Sequence, residues 1–270
     1  MSPDDDSFAV SLTDSEGWGN TERDFQRYLE VYPKGSFILE LNGHKAGMIT
    51  SAVFGKLGIL GNLIVKKEFR NRGAGRKLME RGIKCLKESG CRTIELDGDY
   101  PAVNFYRTLG FKDKFLSLRF FKNPSGSQNR GVKHPGIDTE KLLAVDNALV
   151  PADRSRLLRS IIEDHREYVH VDDFDNIRGY GLIKPKSSGF RQIGPVVAYS
   201  ESGARKIISY LTENYADREI RLGIGENNRK AVKIYLDLGY LYNRPSLVMY
   251  LGERLDYEDN IYAIISGDLG

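Results

Sequence analysis

Three arginines and two glycines, Arg70, Arg72, Gly73, Gly75 and Arg76, crowd into the stretch EFRNRGAGRKLMERG, Glu68 to Gly82. An apolar run, LGILGNLIV, ends just before them, and a helical pattern starts at Gly75. A helix N-terminus carries unpaired N–H groups and partial positive charge, so it favours an anion. Glycines let the backbone curl until several N–H groups point at one spot. With the arginines around that spot, a diphosphate is a natural ligand. There is no G-x-x-x-x-G-K-[ST], so this is not a Walker loop. No third glycine follows Gly75 at the offset of the dinucleotide fingerprint either.

Other chemistry-bearing residues are sparser. The histidines, His44, His134, His165 and His170, are dispersed, and no metal spacing emerges. Cys85 and Cys91 lie near the end of one predicted helix and imply no disulfide framework, so a reducing compartment, the cytoplasm, is expected. MSPDDDSF is acidic and lacks the apolar core of a signal peptide. The longest apolar region, Ala46 to Val65, is broken by Lys56 and four glycines, so it reads as two strands and a turn, not a membrane span. A net charge of +3 selects no partner. The basic run from Lys66 to Lys84 is interrupted by Glu68 and Glu80 and has no interleaved aromatic platform, which argues against nucleic acid.

The elements that must position the arginine loop follow from periodicity. Phe8 to Leu12 is expected as a first strand, and Asn20 to Val31 as a helix. Asn42-Gly43 between apolar runs predicts a hairpin. Leu78, Met79, Gly82, Ile83 and Leu86 make one helical face after the loop. RTIELDGD reads as a strand on which Glu95 and Asp97 alternate with Ile94 and Leu96, both facing away from the apolar side. PAVNFYRTLGF is a short helix with Pro101 in its first turn and Gly110 at its C-terminal cap, and FLSLRFF is a further strand.

Lys122 to Gly136 is rich in Gly, Pro, Ser and Asn and reads as a linker. Beyond it the pattern recurs: a helix over Arg154 to Ile162, strands at IRGYGLI and FRQIGPVVAY, the stripe Ala204, Ile207, Ile208 and Leu211, the strand REIRLGI and the helix NRKAVKIYLDLGY. GNLIV at Gly61 overlays GPVVA at Gly194, and Tyr106 overlays Tyr235. Gly61 and Gly110 are 49 residues apart, while Gly194 and Gly239 are 45 apart. The missing residues fall at one place, where KKEFRNRGAGRKLM is replaced by YSESGARKII. The second copy lacks the arginine loop.

Arg70-Asn71-Arg72-Gly73-Ala74-Gly75 resembles the R/Q-x-x-G-x-G/A signature of the GNAT acyltransferase superfamily, and Tyr106-Arg107-Thr108-Leu109-Gly110-Phe111 resembles its second signature, Y-x-x-L-G-F. Gly17-Trp18-Gly19-Asn20-Thr21-Glu22-Arg23-Asp24 and the segment Ile193 to Ala198 resemble segments of a tandem subfamily. The resemblance implies a mixed α/β (α+β) protein made of two tandem GNAT-like folds, each a mostly antiparallel sheet flanked by helices. Residues 1–122 would be the transferase domain, 123–136 a linker, and 137–270 a degenerate GNAT-like domain.

The same resemblance implies acetyl-CoA as acyl donor, no metal, and the amine of a small molecule as acceptor. The donor would be held by the backbone and side chains of Arg70, Asn71, Arg72, Gly73, Ala74, Gly75 and Arg76, with Asn104 and Tyr106 beside it. An oxyanion donor N–H maps near Leu63, Ile64 and Val65. Tyr106, with a phenol pKa near ~10, would protonate a thiolate of pKa around ~8.5. Asp97 is the candidate base for the amine, and Trp18 a candidate wall of the acceptor pocket. Asp99 stands where many family members have Asn, and the second half keeps Asn228 there. A non-catalytic acyl-CoA-binding sensor is the alternative, separated by CoA release with an amine. Oligomeric state has no signal in the sequence.

Overall fold

Asn42 and Gly43 both have positive φ, 51° and 77°, and join β1 (Phe37–Leu41) to β2 (His44–Phe54) in the tight hairpin their dipeptide predicts. The computed structural model describes residues 1–126 and 136–270. Most of the expected linker, and His134 with it, lies outside the described residues.

Phe8 to Leu12 is not a strand. It forms the middle of α1 (Asp6–Ser15), which buries Asp6, Ala9, Leu12 and Thr13 on one side. A short, mostly apolar run broken by Ser11 fits either period, and packing against α2 (Glu22–Val31) selects the helix. The α2 N-terminus is held by a capping box between Thr21 and Asp24. The first half continues through β3 (Leu57–Val65), α3 (Ala74–Glu88), β4 (Thr93–Gly98), α4 (Val103–Arg107) and β5 (Lys112–Lys122).

After the linker come α5 (Thr139–Leu149), α6 (Ser155–Asp164), β6 (Val169–Val171), β7 (Gly179–Pro185) and β8 (Arg191–Ala198). The chain then forms α7 (Glu201–Asn214), β9 (Ile220–Gly225), α8 (Arg229–Asp237), β10 (Leu241–Gly252) and β11 (Ile261–Ala263).

Among the described residues, ten strands make one path, β1-β2-β3-β4-β10-β5-β9-β8-β7-β6, with β11 off it beside β8. Pairing is antiparallel except β3 with β4 and β8 with β9. The order reads alike from either edge, as the sequence repeat requires. At the centre, however, the halves exchange strands: β10 of the second half lies between β4 and β5 of the first. Helices α3 and α4 cover one face of the first half, where Leu78, Met79, Leu86, Ile94, Leu96 and Tyr106 form a core cluster. Helix α7 and α8 residues build the equivalent cluster in the second half. A third cluster joins α1, α2, α5 and α6 to β7 and the segment after β11, so the halves share a core.

Candidate active site

β3 and β4 pair in parallel only from Leu57–Thr93 to Leu60–Leu96. Beyond that point they separate, and one backbone edge of Gly61 to Val65 has no strand partner on the β4 side. On its other edge β3 pairs with β2, but the register slips between Met48–Ile64 and Thr50–Gly61. The extra residue sits on β3, a bulge at Asn62 and Leu63, with Asn62 at φ 50°. The bulge re-aims the backbone of Leu63, Ile64 and Val65 at the mouth of the gap. An Asn inside the apolar run LGILGNLIV was the readable signal for it, since Asn tolerates positive φ better than any apolar residue. The second half has the same slip, between Gly181–Val196 and Ile183–Ile193.

The arginine loop begins where β3 ends. Arg70 turns back: its Nε donates to Val65 O (2.8 Å) and its Nη2 to Glu16 Oε1 (2.9 Å). That guanidinium therefore fastens the loop to the strand instead of pointing outward. Asn71 and Gly73 have φ of 61° and 78°, and Ala74, the first residue of α3, is buried. A Cβ at Gly73 would meet nothing within 4 Å, so glycine is required by the left-handed backbone and not by crowding. The N-terminus of α3 has no side-chain cap and no acidic residue in its first turn. Arg72 and Arg76 are exposed beside it, and Arg76 Nη2 donates to Thr108 Oγ1 (3.0 Å), tying α3 to α4. Asn104 is exposed on α4 and accepts from Arg107. Uncapped N–H groups, left-handed residues and the exposed Arg72 and Arg76 suit an anion such as a diphosphate.

Helix α7 occupies the matching place in the second half and is built differently. Ser200 Oγ accepts from Gly203 N (3.1 Å), Glu201 lies in the first turn, and a Cβ on Gly203 would stand 3.0 Å from Asp172 Oδ2. One of its N–H groups is answered by the chain's own hydroxyl, and the carboxylates of Glu201 and Asp172 lie beside it. The second gap is closed as well. β8 and β9 pair only at Arg191–Ile220 and Gln192–Arg221, and β11 enters beyond, pairing with Val196 and Val197. Asn228 holds it there by donating to Ile261 O (2.9 Å), while its Oδ1 caps α8. That task needs an amide. Asp99 has no such strand to hold and caps nothing with its side chain.

Tyr106 and Asp97 flank the first gap from opposite faces of β4. The Tyr106 ring lies against the strand end, where a Cβ on Gly98 would stand 2.7 Å from it. Burial, then the negative charges of Asp99 and Asp97, push its pKa above the ordinary 10, so the phenol stays protonated. Tyr235 by contrast is fully buried, and its hydroxyl has no partner. Asp97 faces the other way. One carboxylate oxygen accepts from Arg119 Nη2, which also donates to Ser246 Oγ (3.0 Å) on β10. Its Oδ1 is buried without a partner.

Glu95, two residues earlier on the same face, does not line open solvent. It accepts from Lys114 Nζ (2.7 Å) and Tyr257 Oη (2.7 Å), and Lys114 also donates to Glu258. Burial raises the Glu95 pKa in spite of Lys114. This cluster joins β4 and β5 to residues after β10. It is invisible locally because its members are up to 163 positions apart.

Trp18 is half-buried against the shared core, while its neighbour Asn20 reaches toward the segment after β11. There Asn20 Nδ2 (3.3 Å), Asn62 Nδ2 (3.0 Å) and Tyr28 Oη (2.7 Å) all donate to Asp268 Oδ2. Burial opposes the Asp268 charge, but the Ser266 hydroxyl, Lys186 and these donors outweigh it and hold its pKa below 3.8. Arg27, Lys184 and Lys186 stand nearby, and burial with the two other cations lowers Lys184 to about 8. Asp268, Asn62, Ser117, Ser266 and Arg119 carry no motif, and the reading of motifs passed over them.

Comparison with known proteins agrees with this fold. Residues 7–111 match the model of the Acetyltransferase (GNAT) family, and residues 142–263 match that of an Acetyltransferase (GNAT) domain. The uncharacterized N-acetyltransferase YitH of Bacillus subtilis is 26% identical over 224 residues, 81% of this chain and 78% of that one. A solved candidate acetyltransferase from Pyrococcus horikoshii superposes with a TM-score of 0.83 at 24% identity, covering 100% of this chain and 94% of its own. A tandem GNAT protein from the clavulanic acid biosynthesis pathway gives 0.60 at 14% identity, over 95% of this chain and 98% of its own.

Proposed function

Since the chain belongs to the GNAT acetyltransferase family, with two GNAT domains in tandem, we propose that it moves an acetyl group from acetyl-CoA to the amine of a small molecule at a single site in the first half. The observation that carries this reading is the contrast between two helix N-termini. That of α3 is bare and ringed by arginine, and that of α7 is occupied by Ser200 and Glu201. Residues 1–122 then form the transferase domain, 123–136 the linker, and 137–270 a degenerate copy that has lost the donor site and closes the acceptor side. The two free cysteines suit a reducing, cytoplasmic setting.

Acetyl-CoA supplies the activated thioester. Asn71 to Arg76 grip its phosphates, and the backbone of Leu63 to Val65 offers N–H groups to the carbonyl oxygen. Asp97 Oδ1 takes a proton from the amine, whose nitrogen forms the new bond to the acyl carbon as the carbon–sulfur bond breaks. Tyr106 gives its proton to the departing thiolate. Because its pKa is raised, the phenol is a weaker acid that stays protonated until late, and its help comes as negative charge grows on sulfur.

Calorimetry with acetyl-CoA tests the site count: one per chain is expected, and two would overturn the reading. A screen of amines for CoA release then separates transferase from sensor. With the best amine, Tyr106→Phe is expected to lower kcat by about 10²-fold with KM little changed. Full turnover in that variant would remove Tyr106 from the chemistry.

A further inference from the structure

A cavity of about 550 Å³ opens at the β1 edge of the sheet, toward the far end of α3 from the arginine loop. The turn after α2, the start of β1 and the second half of α3 line it. At 1.5 Å per helical residue, Arg81 stands about 10 Å along α3 from Ala74, and Glu88 about 21 Å. The space is therefore separate from the bare helix N-terminus. Its volume falls within the roughly 300–1,000 Å³ that small-molecule sites occupy.

Most polar groups around it are already answered. Cys85 Sγ donates to Lys34 O (3.2 Å), and Tyr32 Oη (3.3 Å) and Ser89 Oγ (3.0 Å) donate to Cys85 O. Glu88 lies 3.8 Å from Lys84. What is left over is cationic. Among the described residues, the side chains of Arg81 and Lys34 have neither an ion pair nor a hydrogen bond. The Arg81 guanidinium lies over the Phe37 ring, 4.7 Å from its centroid, so its face is held and its in-plane N–H fork stays free. That fork matches the oxygens of a carboxylate or a phosphate. Ser36 borders the same space at 3% exposure, and its hydroxyl has no partner. Buried polar groups are almost always paired, so this one is open to a ligand oxygen. Tyr32 and Pro33 add apolar wall. Lys66 to Glu88 carries nine basic residues against three acidic ones, a larger excess than the whole chain's +3, so the local field also favours an anion.

We infer that this cavity is a second ligand site, taking a small organic anion whose carboxylate or phosphate meets Arg81, Lys34 and Ser36 and whose apolar part lies against Tyr32 and Pro33. Binding there requires neither acetyl-CoA nor an amine, so it stands apart from the transferase reading.

The probes are phenyl phosphate and benzoate, each titrated into the full chain and followed by calorimetry. Saturable binding of at least one is expected, and the tighter of the two identifies the head group. Gly73→Val should leave this binding in place, because the arginine loop lies at the other end of α3. Arg81→Gln is expected to weaken it about tenfold or more, and Lys34→Gln and Ser36→Ala about 3- to 5-fold each. Tm should hold in Arg81→Gln, since that side chain is exposed and unpaired. Benzylamine and benzyl alcohol, which lack negative charge, and inorganic phosphate, which lacks an apolar part, should each bind at least about tenfold more weakly, a difference of ~1.4 kcal/mol. No saturable binding of either probe, equal affinity for benzylamine or for inorganic phosphate, or affinity unchanged in Arg81→Gln would overturn the assignment. Binding lost in Gly73→Val but kept in Arg81→Gln would do so too, by moving the anion to the arginine loop.

Discussion

At the scale of single residues, Gly73 shows how backbone and ligand are coupled. Its φ of 78° lies where a side chain strains the chain, yet there is open space around it. Gly73→Val therefore costs about 1–2 kcal/mol of loop conformation without any clash in the free protein. Acetyl-CoA affinity is expected to fall at least about tenfold while Tm moves little, because the loop is exposed. Gly73→Asn should lose less, since Asn visits the left-handed region more readily. Equal affinity in the Val variant, measured by calorimetry, would mean the curl is not what holds the phosphates. Tyr106 and Tyr235 make the complementary point. The two align in sequence, but Tyr106 keeps 8% exposure beside the parted strands while Tyr235 is fully sealed in a core. The motif identifies the position; what fills the gap decides its use.

Between elements, α2, α6 and β7 meet through charge. Arg27 Nη2 donates to Asp164 (2.5 Å) and Nη1 to Asp24 (2.8 Å), and His165 follows at the end of α6. Burial lowers the His165 pKa from 6.5 to about 4, helped by Arg27 and Lys184 against the opposing pull of Asp164 and Asp24. The sign follows directly. Between pH 6.5 and about 4 the unfolded chain binds a proton there that the folded chain does not. Stability is thus insensitive to this group above pH 6.5 and falls as pH drops through the window. Chemical denaturation across that range should show the loss, and His165→Gln should flatten it. An unchanged profile in the variant would place the acid sensitivity elsewhere, with Asp268 contributing only as pH falls from 3.8 through its own lowered pKa.

For the molecule as a whole, the exchanged central strands set the consequence. β5 pairs with β10 and β9, both of the second half, and with no strand of its own. A fragment ending near Pro124 would leave β5 without a ladder and expose the edge of β4. It would also bare the shared core beneath α1 and α2. Residues 1–124 expressed alone are expected to aggregate, and co-expression with residues 137–270 to restore solubility. A soluble, monomeric fragment that binds acetyl-CoA would show that the first half closes its own sheet when the partner is absent.

Much of this protein was written locally and could be read that way. The Asn42-Gly43 turn, the amphipathic face of α3, the arginine loop and the internal repeat are short-range patterns, and short-range sterics and periodicity suffice to specify them. The family follows from them, and the place proposed for the donor rests on them. Local pattern failed at Phe8 to Leu12, where five residues fit two periods and packing on α2 chose the helix. It was silent on β10, whose inclusion between β4 and β5 depends on pairing across more than a hundred residues. It was equally silent on the acceptor side. Asp268 meets Asn62, and Ser266 shares a void with Asp97, because a segment after β11 crosses from one half to the other. Hydrogen bonds and burial between residues so distant are properties of the closed chain, and only the tertiary structure brings them together.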